Sequence, residues 1–573
     1  MCGIVGIVGD YVNARGDDAA AKLQHGLQAI ARRGPDGEGT WTHDRVMFGH
    51  VRLAIVDPDP RSNQPMESDN WTLCYNGEVY NFREIRKTLE GLGHTFVTQS
   101  DTEVLLLSLE QWGIEGCLSR IAGMFAFLAH NKATGQTYAA RDHMGIKPLL
   151  YARDASGTLF LGSSITSIQK MCPDANFTIN KTALASYFSL GGVHGSHTCF
   201  DGIERLDPAH YMEILPNGDL NIHKYWEPQY QSNFTMVDLI AIVREYQISD
   251  VQSALFLSGG VDSSFLACVY DDLDCFHLTS PEEPYAQMVA DRFGRKLISV
   301  KPDLETYEAD VEAATAFHGE PMMSVGIPLA VSREVNKHGY KMAISANGAD
   351  ELFLGYSRTP MPEYTPDYMP LHETPSKQFM VEQLQHIFRD DRNFEMPALR
   401  DVFPSMRDIY TQSLAEHRLE GFSVSASHRW VELMTYVLSD LNPTLDAASM
   451  YNSVEVRVPF LDHRIVQGVL SWDASVLVTP ELGRKAPLKE HIAKYFPQTL
   501  YQRTKLGFSI HSEKLDDISK LSEAALKQAL KTKTIELQGG TQFGEYERDM
   551  IYLGNSLFGF AKWADANCLN TEH

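Results

Sequence analysis

The stretch SALFLSGGVDSS, residues 253–264, decides the fold of the larger part of this 573-residue chain. The apolar run SALFL stops at Ser258-Gly259-Gly260 and resumes as DSSFLACVYDD (262–272), whose apolar residues recur at helical spacing. A strand that passes through a glycine turn into a helix is built to meet an anion. Glycine lets the backbone approach closely, and the first turn of the helix carries free N–H donors. Outward from this point, CFHLTS (275–280), KLISV (296–300) and YKMAISA (340–346) are further short apolar runs. Helical stretches separate them, PYAQMVADRFG (284–294) and IPLAVSREVNKHG (327–339). This alternation predicts an α/β fold with a parallel, doubly wound sheet. From about residue 357 the pattern turns mostly helical, after a Pro- and Tyr-rich loop at 359–375.

The opening part reads differently. CGIVGIVG (2–9) and VMFGHVRLAIVD (46–57) are apolar, β-branched runs, and WTLCYNGEVYN (71–81) carries a turn between strand-like halves. LQHGLQAIARRG (23–34) and FREIRKTLEGLG (82–93) have helical spacing and end at Gly. ERLDPAHYMEILPNGDLNIHKYW (204–226) predicts a closing strand pair turning at Asn217-Gly218. A layered α+β domain over residues 1–210 is expected, then a second domain over 230–573. A single core levels off at roughly 250–300 residues, so two cores suit this length.

Composition narrows the function. Lys+Arg 50 against Asp+Glu 74 gives a net charge of −24, which argues against a nucleic-acid surface. The eight cysteines (Cys2, Cys74, Cys117, Cys172, Cys199, Cys268, Cys275, Cys568) form no CxxC pair, so neither structural zinc nor a disulfide framework is expected. No run approaches the roughly 18 apolar residues of a membrane helix, and MCGIVGIVGD lacks the basic start of a signal peptide. A reducing cytoplasm is the expected location.

Cys2 follows the first Met and is small enough to allow its removal. The thiol would then stand beside its own α-amine, whose pKa near ~7.7–8.0 leaves part of it free to take the thiol proton. One residue would supply nucleophile and base together.

CGIVGI (2–7), RRGPDG (32–37), HVRLAIVD (50–57), YNGEVYN (75–81) and SDTE (100–103) occur in this order. Together they resemble the N-terminal-nucleophile glutaminase domain of class II glutamine amidotransferases, over roughly residues 2–210. The resemblance implies that Arg52 holds the glutamine α-carboxylate. It also implies that the Asn76 side chain and the Gly77 N–H form an oxyanion hole, and that Glu78 and Asp101 hold the α-amine.

In the second half SGG-x-DS (258–263) resembles the pyrophosphate-binding loop of ATP pyrophosphatases, and SANGADELF (345–353), VEVRVPFLDHR (454–464) and QRTKLGF (502–508) resemble asparagine synthetase motifs. Both halves in this order resemble the glutamine-hydrolysing asparagine synthetase family, to about residue 515. Relatives that aminate sugar phosphates lack SGG-x-DS, and GMP synthetase carries a different glutaminase. The resemblance implies ATP and Mg²⁺ as cofactors. Leu257, Leu278, Ser345 and Ala346 would cradle adenosine, with Ser258, Gly259, Gly260, Asp262 and Ser263 around the phosphates. Asp262 and Asp350 would bind Mg²⁺, and Lys505 would neutralise phosphate charge. The implied partners are glutamine, ATP and a carboxylate acceptor, with no nucleic acid or membrane, in a homodimer. The implied reaction is amidation of that carboxylate through an acyl-adenylate.

Two places depart from the family pattern. Asn347 stands where the family has a carboxylate proposed to take a proton from attacking ammonia, and Ala346 where it has Gly. An amide cannot serve as that base. TLDAASM (444–450) lacks the expected basic residues before ASM. Either the acceptor has changed, the favoured expectation, or the site has drifted and Glu351 or a water takes the proton. The competing expectation is a homologue that kept the fold as a sensor or scaffold.

Overall fold

The computed structural model describes residues 2–302, 304–356, 412–503, 559, 562 and 563. The expected loop at 359–375 and Lys505 lie outside the described residues.

The N-terminal part contains twelve strands: β1 (Gly3–Val8), β2 (Gly37–His43), β3 (Val46–Arg52), β4 (Met66–Glu67), β5 (Trp71–Val79), β6 (Gly123–Asn131), β7 (Thr137–Arg141), β8 (Leu150–Arg153), β9 (Leu159–Gly162), β10 (Ile203–Arg205), β11 (His210–Ile214) and β12 (Leu220–Lys224). They form two six-stranded antiparallel sheets, ordered β10-β8-β9-β1-β3-β2 and β12-β11-β7-β6-β5-β4. Ile4, Phe48 and Leu161 of one sheet pack between the layers against Cys74, Leu128 and Met212 of the other. Both sheets are apolar on their outer faces as well, so each needs helical cover. The helix Gly16–Ile30 lays Leu23, Leu27 and Ile30 on the first sheet. The helices Phe82–Gly91 and Asp101–Leu118 cover the second, the latter with Val104, Leu105 and Leu109. The result is a four-layer α/β/β/α domain, a layered α+β fold as the sequence predicts.

Two local expectations fail. WTLCYNGEVYN holds no turn: β5 runs straight through Asn76-Gly77, which pair with Ala126 and Phe125 of β6. A Cβ on Gly77 would sit 2.1 Å from the Met124 carbonyl oxygen, so the glycine serves close approach to the neighbouring strand. The helix Asp101–Leu118 was missed because its first nine residues are buried except Leu107, leaving no polar stripe to reveal helical periodicity. The Asn217-Gly218 turn does join β11 to β12.

The C-terminal part is built on a parallel sheet of β13 (Ser253–Phe256), β14 (Asp274–Leu278), β15 (Leu297–Val300), β16 (Met342–Ile344) and β17 (Glu455–Arg457), in the order β15-β14-β13-β16-β17. Helices Val261–Val269, Glu283–Arg292 and Gly326–Lys337 connect its strands, as the strand–helix alternation predicts. Beyond the sheet, Val424–Glu432 continues through a π-helical stretch, Leu433–Leu441, into the helix Asn442–Tyr451.

The two parts share one apolar core. Leu53, Ile55, Tyr80, Met124, Met144 and Ile146 of the first lie in the same cluster as Leu257, Ile344 and Val456 of the second. Buried ions pin this interface. Asp446 takes a bidentate pair from Arg33 (2.8 and 3.2 Å) and a contact from Lys147 at 3.4 Å, all three side chains at most 5% exposed. Burial pushes the Asp446 carboxyl up, but the two cations overcome it and hold it below the usual carboxylate range. Both cations on Asp446 thus come from the other domain. Asp446→Asn strands two buried cations and should lower stability by roughly 3–5 kcal/mol in urea unfolding. A loss under about 0.5 kcal/mol, the range of an ordinary surface change, would show that these ions do not hold the interface.

Candidate active sites

The first site forms where β1 begins. Cys2 is buried, and its backbone nitrogen donates to Asn76 Oδ1 at 3.0 Å while Arg33 Nε donates to its carbonyl at 3.0 Å. Burial raises the thiol pKa, against the lowering effects of the Leu53 backbone and the Arg52 charge. The thiol therefore rests protonated and needs a base. Cys2 shares a pocket with Arg52, Leu53, Ile55, Gln64, Tyr75, Gly77, Glu78, Asp101 and Glu455. Asn76 Nδ2 is buried with no hydrogen-bond partner, a spare donor on the side chain that holds Cys2.

Arg52, at the end of β3, is wrapped by neutral acceptors: its Nη atoms donate to Asp59 O, Asn63 Oδ1, Val56 O and Asp57 O. Its charge is left for an incoming anion. Glu78 gives Oε2 to Arg457 at 2.9 Å, while its Oε1 is buried with no partner. Asp101 accepts from Tyr75 Oη at 2.8 Å and Val79 N at 3.0 Å. Burial raises the pKa of both acids, and the charge of Asp101 adds to the rise at Glu78. Such a pair is short of a cation, which an ammonium group would supply. The structure brings together all six expected residues here.

The second site lies at the carboxyl ends of β13, β14 and β16. The chain leaves β13 towards β14 and β15, then returns to place β16 on the other side of β13. The crevice of an open α/β sheet opens at this change of direction. Leu257, Leu278 and Ser345 each follow or end one of these strands, and Ala346 is half-buried next to them. The 258–263 turn is held by its own hydroxyls: Ser258 N donates to Ser263 Oγ (3.2 Å), and Gly260 N to Ser258 Oγ (3.2 Å). Gly259 has φ +77°, and a Cβ there would meet Ala286 N at 2.6 Å.

Asp262 and Asp350 converge on one cationic atom. Lys485 Nζ contacts Asp262 at 2.5 and 2.6 Å and Asp350 at 2.5 Å, and a Cβ on Gly355 would intrude on the same spot. Burial works against the Lys485 charge, yet the two carboxylates raise its pKa above the usual lysine range. Two acids gathered around one cation fit a hard dication such as Mg²⁺. Asn347 lies on the same turn and accepts from Ser345 Oγ at 2.9 Å. Tyr356 donates to the buried Glu351 at 2.6 Å.

Sequence reasoning missed Lys485, Glu455, Arg457 and Arg503. Arg503 pairs with Glu282 and donates to Gly259 O at 3.0 Å, bracing the glycine turn. Lys485 sits in a helical region with no motif around it, 223 residues from Asp262. Glu455 and Arg457 stand inside VEVRVPFLDHR, so a signal was present, but nothing in the string says that they reach the other domain.

A nucleophile-bearing glutamine amidotransferase domain docked on a nucleotide-loop α/β domain is the class that this fold and these sites define. Residues 1–226 match the model of the glutamine amidotransferase domain, and residues 238–541 that of asparagine synthase. The chain belongs to the glutamine-hydrolysing asparagine synthetase family and is a ligase of that type. It is 30% identical to glutamine-hydrolyzing asparagine synthetase 1 of Bacillus subtilis (strain 168), over 89% of this chain and 87% of that one. Identity to synthetase 3 of the same organism is 29%, over 85% and 84% of the two chains. To its synthetase 2 it is 28%, over 83% and 69%. Among the described residues no helix is long and apolar enough to cross a membrane.

Cys2→Ala should abolish amide synthesis fed by glutamine and spare synthesis fed by an ammonium salt, measured as amide formed from each nitrogen source. Equal loss with both sources would refute the division of labour between the two sites.

Proposed function

We propose that the chain hydrolyses glutamine at Cys2 and uses the ammonia to amidate a carboxylate that ATP has activated as an acyl-adenylate. One observation carries this reading: the Cys2 pocket is walled by Leu53 and Ile55, which belong to the same buried apolar cluster as Leu257 and Ile344 beside the nucleotide turn. A neutral ammonia molecule crosses such a dry interior far more cheaply than an ion does.

In the first half-reaction the Cys2 α-amine, once Met1 is removed, takes the thiol proton, and Sγ attacks the glutamine carboxamide carbon. Asn76 Nδ2 and the Gly77 N–H receive the negative charge on oxygen, the C–N bond breaks, and ammonia leaves with the transferred proton. Water then hydrolyses the thioester to glutamate. Arg52 orients the α-carboxylate, and Glu78 with Asp101 the α-amine.

In the second half-reaction an oxygen of the acceptor carboxylate attacks the α-phosphorus of ATP and pyrophosphate leaves. Ammonia then attacks the acyl carbon, a proton is lost from nitrogen, and AMP departs. Asp262 and Asp350 would hold Mg²⁺, which would supply charge neutralisation on the phosphates. Lys485, released from the two acids, would add positive charge there. Glu351, held by Tyr356, is a candidate to take the proton that Asn347 cannot. The sensor or scaffold reading is the weaker one, because the Asp262–Asp350 pair and the nucleotide turn are both formed.

Asp262→Asn removes a metal-binding carboxylate and should collapse pyrophosphate release from ATP while glutamine hydrolysis persists. Pyrophosphate release at the unmodified rate would show that the 258–263 turn is not an ATP loop.

Asn347 also bears on the acceptor, which we take to differ from free aspartate. In a pyrophosphate-release assay across a panel of carboxylic acids, the unmodified protein should respond to some acid better than to aspartate. Asn347→Glu should then lower activity on that acid, since a new negative charge repels it. Efficient asparagine formation by the unmodified protein would refute this. So would a gain of about 10²–10⁴-fold in asparagine formation by Asn347→Glu, the worth of a restored base.

A further inference from the structure

We propose that Arg457 is a positioning residue that couples occupancy of the Cys2 pocket to the geometry of the 345–350 turn. It closes the edge strand β17, opposite Ile344 of β16. Its carbonyl accepts the Ser345 N–H at 2.8 Å, the first hydrogen bond of the turn that carries Asn347 and Asp350. Its side chain, fully buried, crosses into the N-terminal domain. There Nη2 donates to Glu78 at 2.9 Å while Nε donates to Glu455 at 2.6 Å. Nη1 is fixed by the carbonyls of Tyr246 (3.0 Å) and Ile248 (2.5 Å), and the guanidinium stands 5.4 Å from the centre of the Tyr80 ring.

One guanidinium therefore serves two carboxylates that both line the Cys2 pocket. The unpartnered Glu78 Oε1 marks where a further cation is wanted. An ammonium group arriving there takes a share of Glu78, and Arg457 is drawn towards Glu455 on its own strand. That strand holds Ser345, so the change reaches the nucleotide turn within one residue. The coupling is reciprocal: filling the turn alters how firmly Arg457 holds Glu78. This rests on the proposed function, in which glutamine brings the ammonium group.

The test measures glutamate formed from glutamine, with and without ATP and Mg²⁺, and needs no acceptor. In the unmodified protein, ATP with Mg²⁺ should change the KM for glutamine by about fivefold or more, the usual lower size of such coupling. Arg457→Lys keeps the charge but loses the fork, and should abolish that response. Glu455→Gln, a gentler change that keeps Arg457 paired with Glu78, should reduce it. A purely structural role would lower kcat and thermal stability and leave the ATP response of the remaining activity intact. That outcome overturns the inference, as does an unmodified protein with no ATP response. Absence of any glutamine hydrolysis in the unmodified, Met1-processed protein would instead overturn the proposed function, and this inference with it.

Discussion

Charge buried at a dry interface must be paired, and this constraint fixes how the two domains meet. Arg33 and Lys147 come from the N-terminal layers and Asp446 from a C-terminal helix. Glu78 comes from β5 and Arg457 from β17. Separating the domains would expose these groups to water at the cost of the shared apolar core, and sliding them would strand ions inside it. The surrounding contacts, such as Lys341 on Asp36 and Asn442 on Met144 O, follow from this registration. Both sites border the interface, so their separation is set by the same ions.

The second site shows how a protein stores a cation position. Lys485 takes a left-handed backbone conformation, φ 61°, just before a helix, and its amine sits between two acids. The same lysine thus keeps Asp262 and Asp350 from repelling one another when no ligand is bound.

The layered N-terminal fold and the parallel sheet were both legible, because strands bounded by glycine turns and strand–helix alternation are local patterns. The six residues of the first site were legible through short motifs, and the structure lines one pocket with five of them and ties Asn76 to Cys2 beside it. Contacts that span the domains were not. The Asp446 environment could not be read from TLDAASM because its cations lie 413 and 299 residues away. Asn76-Gly77 was misread as a turn because an Asn-Gly pair signals reversal in isolation, whereas here a neighbouring carbonyl demands a missing Cβ. Lys485 announces itself only in three dimensions.

The order of strands in the parallel sheet has a consequence for biosynthesis. β13 at residues 253–256 pairs with β16 at 342–344, which in turn needs β17 at 455–457 to cover its edge. Chains emerge from the ribosome N-terminus first, and early domains fold before later ones are made. The glutaminase layers can therefore form while Arg457 and Glu455 are still unmade, leaving Glu78 without its counter-ion. A nascent or truncated chain would hold the Cys2 thiol in a pocket that lacks its Glu455 wall.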